Sequence, residues 1–563
     1  MRLKLSSLTF SDGTVVPLEP GETVFLVGPN NSGKSATLKE VDRLLQNQRN
    51  HKKVIQELKY ETPGSMEDLL TRICRDYRTL VNQQDGTRAF AIGEARIPES
   101  TLQRTVHQIP SHGLQALKHL FVQFLSTQNR LTAADPVERV DYERQGPTHP
   151  IHELEINDAL EERVNQHFKK AFNTSLTVHR SAGKHLPLVV GERPLPEEGE
   201  DRLSHNYLNK ISALPHLELQ GDGMRSFVSI VLNTQIKSKD LVLIDEPEAF
   251  LHPIQVRMLG GILCNRTLSD SQALISTHSG ELLRSAITQP DGKVKVIRIQ
   301  RVSDVNHISL LKSEDLNALW EDPLLRQSNV LDGIFHQGVI VCEADPDCRF
   351  YSAVLEEVCK SQPKYPDIMF THCGGKDRMN VAVDALRALD VPVKSICDID
   401  LIRDKGTARK LFEAHGGDWS DVSRQWDTLQ AAVRDLQAEI PRNSAKDRIM
   451  EIFDQAEHEA LTRSDVKQIQ EVLKRASPWK TIKSAGKSVI PSGGAYAAFE
   501  EIIRKFSEVG IHVLEVGELE GFVRDVGGHG PKWVNAVLEQ YSLEDQVLQQ
   551  ARDFVHEVCH QFL

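Results

Sequence analysis

Eight residues near the amino end, Gly28-Pro29-Asn30-Asn31-Ser32-Gly33-Lys34-Ser35, fit the pattern G-x-x-x-x-G-K-[ST]. The apolar run Val24-Phe25-Leu26-Val27 precedes them and Ala36-Thr37-Leu38-Lys39-Glu40 follows, so the loop is expected between a strand and a helix. In that context the pattern marks a phosphate site. The glycines let backbone N–H groups, those of Asn30, Asn31 and Gly33 among them, close around phosphate oxygens, and the helix N-terminus adds a favourable dipole. Lys34 is placed to reach the β/γ-phosphates of a nucleotide, and the Ser35 hydroxyl to ligate Mg²⁺.

A second segment turns a phosphate grip into hydrolysis. Leu241-Val242-Leu243-Ile244-Asp245-Glu246 reads as a buried strand ending in two carboxylates. Asp245 can hold Mg²⁺ and Glu246 can orient or deprotonate the attacking water. Ala273-Leu274-Ile275-Ser276-Thr277-His278 is another apolar strand, and His278 at its end is suited to sensing a γ-phosphate. Further along, Val339-Ile340-Val341-Cys342-Glu343 ends in a carboxylate, Asp347 follows at the start of a helix, and Ser395-Ile396-Cys397-Asp398-Ile399-Asp400 ends in a second acidic pair. A strand's period of two places Asp398 and Asp400 on one face. Such acids have a reason to cluster: Mg²⁺ takes oxygen ligands, and two ions about 3.5–4 Å apart can activate water and stabilise the leaving oxygen in phosphodiester cleavage.

These motifs carry a family resemblance. Asp245-Glu246 followed by Pro247-Glu248-Ala249-Phe250-Leu251-His252-Pro253 resembles the acidic motif of ABC-type ATPases related to RecF, SMC and Rad50, above all the overcoming-lysogenization-defect (OLD) family. The resemblance implies a signature segment that caps ATP bound to a second subunit. The candidate is Gly221-Asp222-Gly223-Met224-Arg225-Ser226, an OLD-like variant in which Gly221 and Gly223 open a helix toward phosphate. Gln123 and Gln128 both stand as lid-loop glutamines.

Glu343, Asp347, Asp398 and Asp400, in this order, resemble a TOPRIM domain, with Glu343-Ala344-Asp345-Pro346-Asp347 carrying alanine at the usual turn glycine. Alanine serves there if φ stays negative. OLD-type TOPRIM sites add a later acid, here Glu518 or Glu520, and a lysine; Lys532 in Gly528-His529-Gly530-Pro531-Lys532 is favoured, with Lys376 as its competitor. The implied protein is a cytoplasmic, ATP-regulated DNA endonuclease dependent on Mg²⁺ or Mn²⁺, a homodimer through its ATPase heads or a larger assembly. It is similar to Gabija-type and retron-associated nucleases of anti-phage defence, and a defence partner encoded in the same operon is a further candidate. The alternatives are a RecF/SMC-like repair ATPase that binds DNA without cutting it, and a nucleotide-sensing scaffold with an inactive TOPRIM domain.

The elements that must position these residues follow from the rest of the chain. At 563 residues, two or three domains are expected. Apolar residues at 40% and charged ones at 26% describe a soluble globular protein, and no apolar run reaches the ~18–20 residues of a membrane span. The polar, charged start does not read as a signal peptide. Eight cysteines without a C-x-x-C pair argue for reduced thiols and against a zinc ribbon. A net charge of −12 neither advertises nor excludes nucleic acid, because local grooves matter more than the sum.

The fold expected is α/β: an ABC-type P-loop ATPase head over 1–325 with a helical insertion at about 40–215, then a Rossmann-like TOPRIM domain over 338–540. The second domain carries a helical insertion at about 405–480, and 541–563 form a C-terminal helix. Residues 41–58, rich in glutamine and charge, read as a solvated helical arm. Lys480, Lys483 and Lys487 beside Trp479 read as an exposed loop or a short basic patch for a DNA backbone. His556-Glu557-Val558-Cys559-His560 matches H-E-x-x-H, but with only three residues after it no third zinc ligand is available downstream, and an amphipathic terminal helix is expected instead.

Overall fold

The computed structural model describes the chain except residues 49–51, 77, 82–85, 93–94, 143–146, 237–238, 266–269, 290–291, 312–315, 318, 320, 324, 326–328, 361, 364, 436–441, 455–460, 475–477 and 563. It divides into two compact units, Met1–Trp320 and Glu321–Leu563.

Apolar runs build the centre of the first unit. Thr23–Val27, Leu241–Asp245 and Gln272–Ser276 are buried at every residue, as strands covered on both faces must be. They lie in a six-stranded sheet ordered Val305–Leu311, Val294–Val302, Thr23–Val27, Gln272–Ser276, Leu241–Asp245, Val122–Leu125. All neighbours are parallel except the Val305–Leu311 edge. The register pairs Asp245 with Ser276 and Ser276 with Leu26. Loops leaving these strands therefore emerge side by side at one edge, where ligands of parallel sheets bind.

A second, antiparallel sheet orders Val15–Pro17, Lys4–Phe10 and Ile55–Glu61. This corrects the helical-arm reading of 41–58. The helix Lys34–Leu44 stops, and Ile55–Glu61 pairs along Lys4–Phe10, because Ile55, Leu58 and Tyr60 find a core to pack on. Within 40–215, Arg78–Val81, Arg88–Ile92 and Ala95–Pro98 form an antiparallel meander in place of helix, while Leu176–Val178 pairs with Leu188–Val190, as the strand-like sequences of both segments lead one to expect. Helices Pro150–Ile156 and Asp158–Phe172 meet at Asn157, whose side chain caps the second.

The second unit is built on a parallel sheet ordered Ile368–His372, Gly338–Cys342, Val393–Cys397, Ile511–Val513. Its core gathers Phe350 of the helix Asp345–Cys359 with Phe522 and Trp533, the rings 6.0 and 5.3 Å apart. The helices Lys405–Ala414, Ser423–Asp435, Arg442–Asp454 and Arg463–Lys474 fill the inserted stretch. The last helix, Gln549–Cys559, buries Ala551, Val555, Val558 and Cys559 and leaves His556 and Glu557 exposed, an amphipathic terminal helix. All eight cysteines are free. Among the described residues no helix is long and apolar enough to cross a membrane.

Candidate functional site

The phosphate loop is shaped by its glycines. Gly28 has φ +134°, and a Cβ there would sit 2.1 Å from the Ile299 carbonyl oxygen; Gly33, at φ +104°, caps the helix Lys34–Leu44. Only glycine meets both demands without strain. Lys34 is buried and its ammonium donates to the carbonyls of Gly28 and Pro29, each at 2.7 Å. Asn30 and Asn31 lie on the loop, with Asn31 at φ +60°, and Ser35 is the second residue of the helix.

Register brings the acidic pair beside this loop. Asp245 accepts a 2.5 Å hydrogen bond from Ser276 Oγ. Glu246, immediately past the strand, has φ +48°, a conformation that costs energy in any residue but glycine and clusters at functional sites. Its N–H donates to the Ser276 carbonyl at 3.0 Å, and its carboxylate lies 3.6 Å from His278 Nε2. Glu248 accepts from the Thr277 hydroxyl and the His278 N–H at 2.8 and 2.7 Å, fixing the turn that carries His278; burial raises its carboxyl pKa.

Gly221 caps the helix Asp222–Val231, and Gly223 allows the close approach of the Phe250 carbonyl, which a Cβ would meet at 2.6 Å. The two glutamines separate. Gln123 lies within its strand opposite Val242, whereas Gln128 is exposed beyond the end that neighbours Ile244.

One residue here escapes sequence reading. Arg130 is fully buried; its guanidinium donates to Ser226 Oγ at 3.1 Å, to the Glu246 carbonyl at 2.9 Å and to the Asp245 carbonyl. Burial lowers its pKa to about 10, against the raising influence of Glu248, Asp245 and Glu246. The only local signal was an arginine just past a strand end.

In the second unit Glu343, Asp398 and Asp400 each bring an oxygen within 4.8 Å of the others, and Glu518, Glu520 and His529 form a second such group. Asp398 and Asp400 converge by a route other than the strand period. The strand stops at Cys397, Asp398 caps a tight 3-10 turn, Ile399–Arg403, and that turn returns Asp400 to the same place. Ala344 has φ −147°, so the alanine is accommodated, and its N–H donates to Asp347 at 2.9 Å. The Asp398 N–H donates to Glu343 at 3.0 Å.

The lysines differ most from expectation. Lys376 Nζ is 2.9 Å from Asp400. Lys483, expected on an exposed loop or DNA-tracking patch, lies on the helix Pro478–Ala485, 2.8 Å from Asp398, 3.6 Å from Asp400 and 3.8 Å from Glu518. Lys487 pairs with Glu515. The favoured Lys532 stands exposed at the second position of the helix Pro531–Gln540, and among the described residues no hydrogen bond or ion pair joins it to the acids. Its glycine-rich approach brings a different residue instead: His529 Nδ1 lies 2.6 Å from Glu520. Lys483 is held by backbone fit, since Gly517, at φ +112°, lies so close that a Cβ would be 2.0 Å from the Lys483 carbonyl.

The electrostatics suit a divalent cation. Burial, then Asp398, raises the Glu343 pKa to about 8; burial, then Asp398, raises Asp347 to about 7. Asp398 and Glu518 are also raised, chiefly by burial. Burial pulls Lys483 down, but Asp398, Asp400 and Glu343 outweigh it and hold the ammonium charged. Among the described residues Asp400 Oδ1 is buried without a hydrogen-bond partner, an oxygen a cation would satisfy. These are hard oxygen donors of the kind Mg²⁺ and Mn²⁺ take.

Residues 96–284 match the family model described as "AAA domain, putative AbiEii toxin, Type IV TA system", and residues 334–400 match the TOPRIM domain of overcoming-lysogenization-defect-like proteins. The Old nuclease of Escherichia phage P2 is 24% identical over 174 residues, 30% of this chain and 28% of that protein. Among solved structures, the SMC head bound to the C-terminal winged-helix domain of ScpA matches at 14% identity and TM-score 0.34, covering 55% of this chain and 99% of that one. The SMC head domain from Thermotoga maritima matches at 11% and 0.28, covering 55% and 100%. The chain thus has the ATPase-plus-TOPRIM architecture of the OLD family.

Proposed function

We propose that this chain is an ATP-hydrolysing, divalent-metal-dependent DNA endonuclease of the OLD type. The observation that carries the reading is the gathering of Glu343, Asp347, Asp398, Asp400, Glu518 and Glu520 around Lys376 and Lys483, past the C-terminal ends of one parallel sheet. Two Mg²⁺ or Mn²⁺ ions would supply Lewis-acid charge and an activated water there. Glu343, Asp398 and Asp400 would hold one, and Glu518 and Glu520, with His529, the other. Lys376 and Lys483 offer positive charge to the phosphodiester, the role assigned from sequence to Lys532.

In the ATPase unit the loop amides and Lys34 would grip the phosphates, Ser35 and Asp245 would hold Mg²⁺, Glu246 would take the proton of the attacking water and His278 would sense the γ-phosphate. Gly221 and Gly223 of a second copy close the site, making the active form a homodimer. DNA as substrate, a cytoplasmic setting, a partner from the same operon and a role against phage rest on the family resemblance.

The test is nicking of supercoiled plasmid with Mg²⁺ or Mn²⁺, run beside ATP-dependent phosphate release. Metal-dependent nicking that Asp398→Ala with Asp400→Ala abolishes, while phosphate release stays near wild type, supports the reading. ATP-dependent DNA binding without nicking would favour a RecF/SMC-like clamp instead.

A further inference from the structure

We infer that Arg130 is a positioning residue that couples the helix Asp222–Val231 to the conformation of Glu246. The inference rests on the proposed ATPase activity and extends it to a residue that contacts neither nucleotide nor metal in that scheme.

The geometry is specific. Arg130 sits in the short turn Asn129–Leu131, just past the strand Val122–Leu125, and is fully buried. One planar guanidinium reaches three groups at once: Ser226 Oγ on the signature helix, the Asp245 carbonyl and the Glu246 carbonyl. The last two flank the peptide unit that places Glu246 at φ +48°. On its other side that unit is fixed by the Glu246 N–H, which donates to the Ser276 carbonyl. A residue in this unfavourable backbone region keeps it only when its surroundings over-determine it. Arg130 holds the two carbonyls, the Glu246 one together with the Ala249 N–H.

A second link joins the same two segments. Arg225, the residue before Ser226, lies 3.5 Å from Asp135, a few residues past Arg130. Any displacement of the helix that begins at Gly221 is therefore transmitted to the turn holding Arg130, and through it to the carbonyls behind both catalytic carboxylates. Hydrolysis then depends on where that helix sits, although Ser226 and Arg130 are both fully buried. Lysine cannot replace the arginine: it keeps the charge but lacks the rigid fork that serves three acceptors.

The experiment compares wild type, Arg130→Lys, Ser226→Ala and Glu246→Gln for steady-state phosphate release and for equilibrium binding of radiolabelled ATP, with circular dichroism to confirm folding. Arg130→Lys is expected to lower kcat about 100-fold, the scale of a misplacement of about 1 Å, with ATP affinity within threefold of wild type. Ser226→Ala, which leaves the clamp on the carbonyls but cuts the tie to the helix, is expected to lower kcat about 3- to 10-fold at unchanged affinity. Wild-type kcat in folded Arg130→Lys, or parallel loss of kcat and ATP binding, overturns the inference. If Arg130→Lys fails to fold, Ser226→Ala decides, and an unaltered kcat there overturns the coupling. Absence of phosphate release from wild type itself marks failure of the ATPase reading, on which the inference depends.

Discussion

Loading the acidic centre with a divalent cation should release protons, and the number released should fall as pH rises. A carboxyl with a pKa of about 8, as for Glu343, is about 90% protonated at pH 7, and one of about 7, as for Asp347, is about half protonated. Metal binding requires Glu343 as a carboxylate, and the cation's charge favours ionised Asp347 beside it. Filling the site should therefore expel about one to two protons from these two groups at pH 7, more at pH 6, and close to none at pH 9. Titration calorimetry with Mg²⁺ or Mn²⁺ in buffers of different ionisation enthalpy reads this number directly. Glu343→Gln, which mimics the protonated side chain, should cut the release at pH 7 by about one proton.

The same shifts set a stability trend of defined sign. Folded-state pKa values lie above those of the unfolded chain, so the folded protein holds protons that the unfolded chain has lost. Their contribution is fully present below the ordinary carboxylate range and disappears as pH rises through about 7 to 8. Without divalent ions the thermal midpoint of the second unit should fall across that window, and saturating Mg²⁺ should recover more stability at pH 8 than at pH 6. A proton release near zero at every pH, or one that grows with pH, would refute the assignment of these carboxyls as a buried cation site.

Three further outcomes follow. Glu246→Gln should retain ATP binding, since Lys34 and Ser35 are untouched, while hydrolysis falls about 10²–10⁴-fold, the usual cost of a lost general base; rapid-quench measurement of phosphate would check it. Asp398→Ala with Asp400→Ala should stop plasmid nicking and leave phosphate release within about twofold, because none of the residues assigned to hydrolysis lies beyond Trp320. Gly517→Ala, at φ +112° with its new Cβ against the Lys483 carbonyl, should displace Lys483, lowering both the thermal midpoint of the second unit and nicking. Alanine tolerated there without loss would show that the backbone fit does not set the position of Lys483.

What the sequence made legible was chemistry tied to a strand end. Gly33, Lys34, Ser35, Asp245, Glu246 and Glu343 each follow a continuous apolar run, and a run covered on both faces fixes both the strand and the edge at which its polar successors emerge. What it hid were residues whose partners lie far away along the chain. Nothing near 130 announces that its guanidinium will meet Ser226, Asp245 and Glu246, roughly a hundred residues on. Lys483 looked like one of several lysines around Trp479 because the acids it meets come from two other segments.

Local pattern also failed where a tertiary partner overrode it. Residues 55–61 carry charge enough for a solvated helix, yet Ile55, Leu58 and Tyr60 give a strand one apolar face, and the chain from Lys4 to Phe10 offers it a ladder to join. At Asp398 the period-two argument reached the right neighbours by the wrong path. Any geometry that returns a side chain after two residues brings both acids to one point, and here it is a turn stabilised by the Ile399 N–H bonding to the Gly517 carbonyl. That bond ties the acidic turn to Gly517, the same residue whose missing Cβ admits Lys483. The position of the lysine and the shape of the acidic pair are thus set by one glycine, which is why cation and acids should be lost together when it is changed.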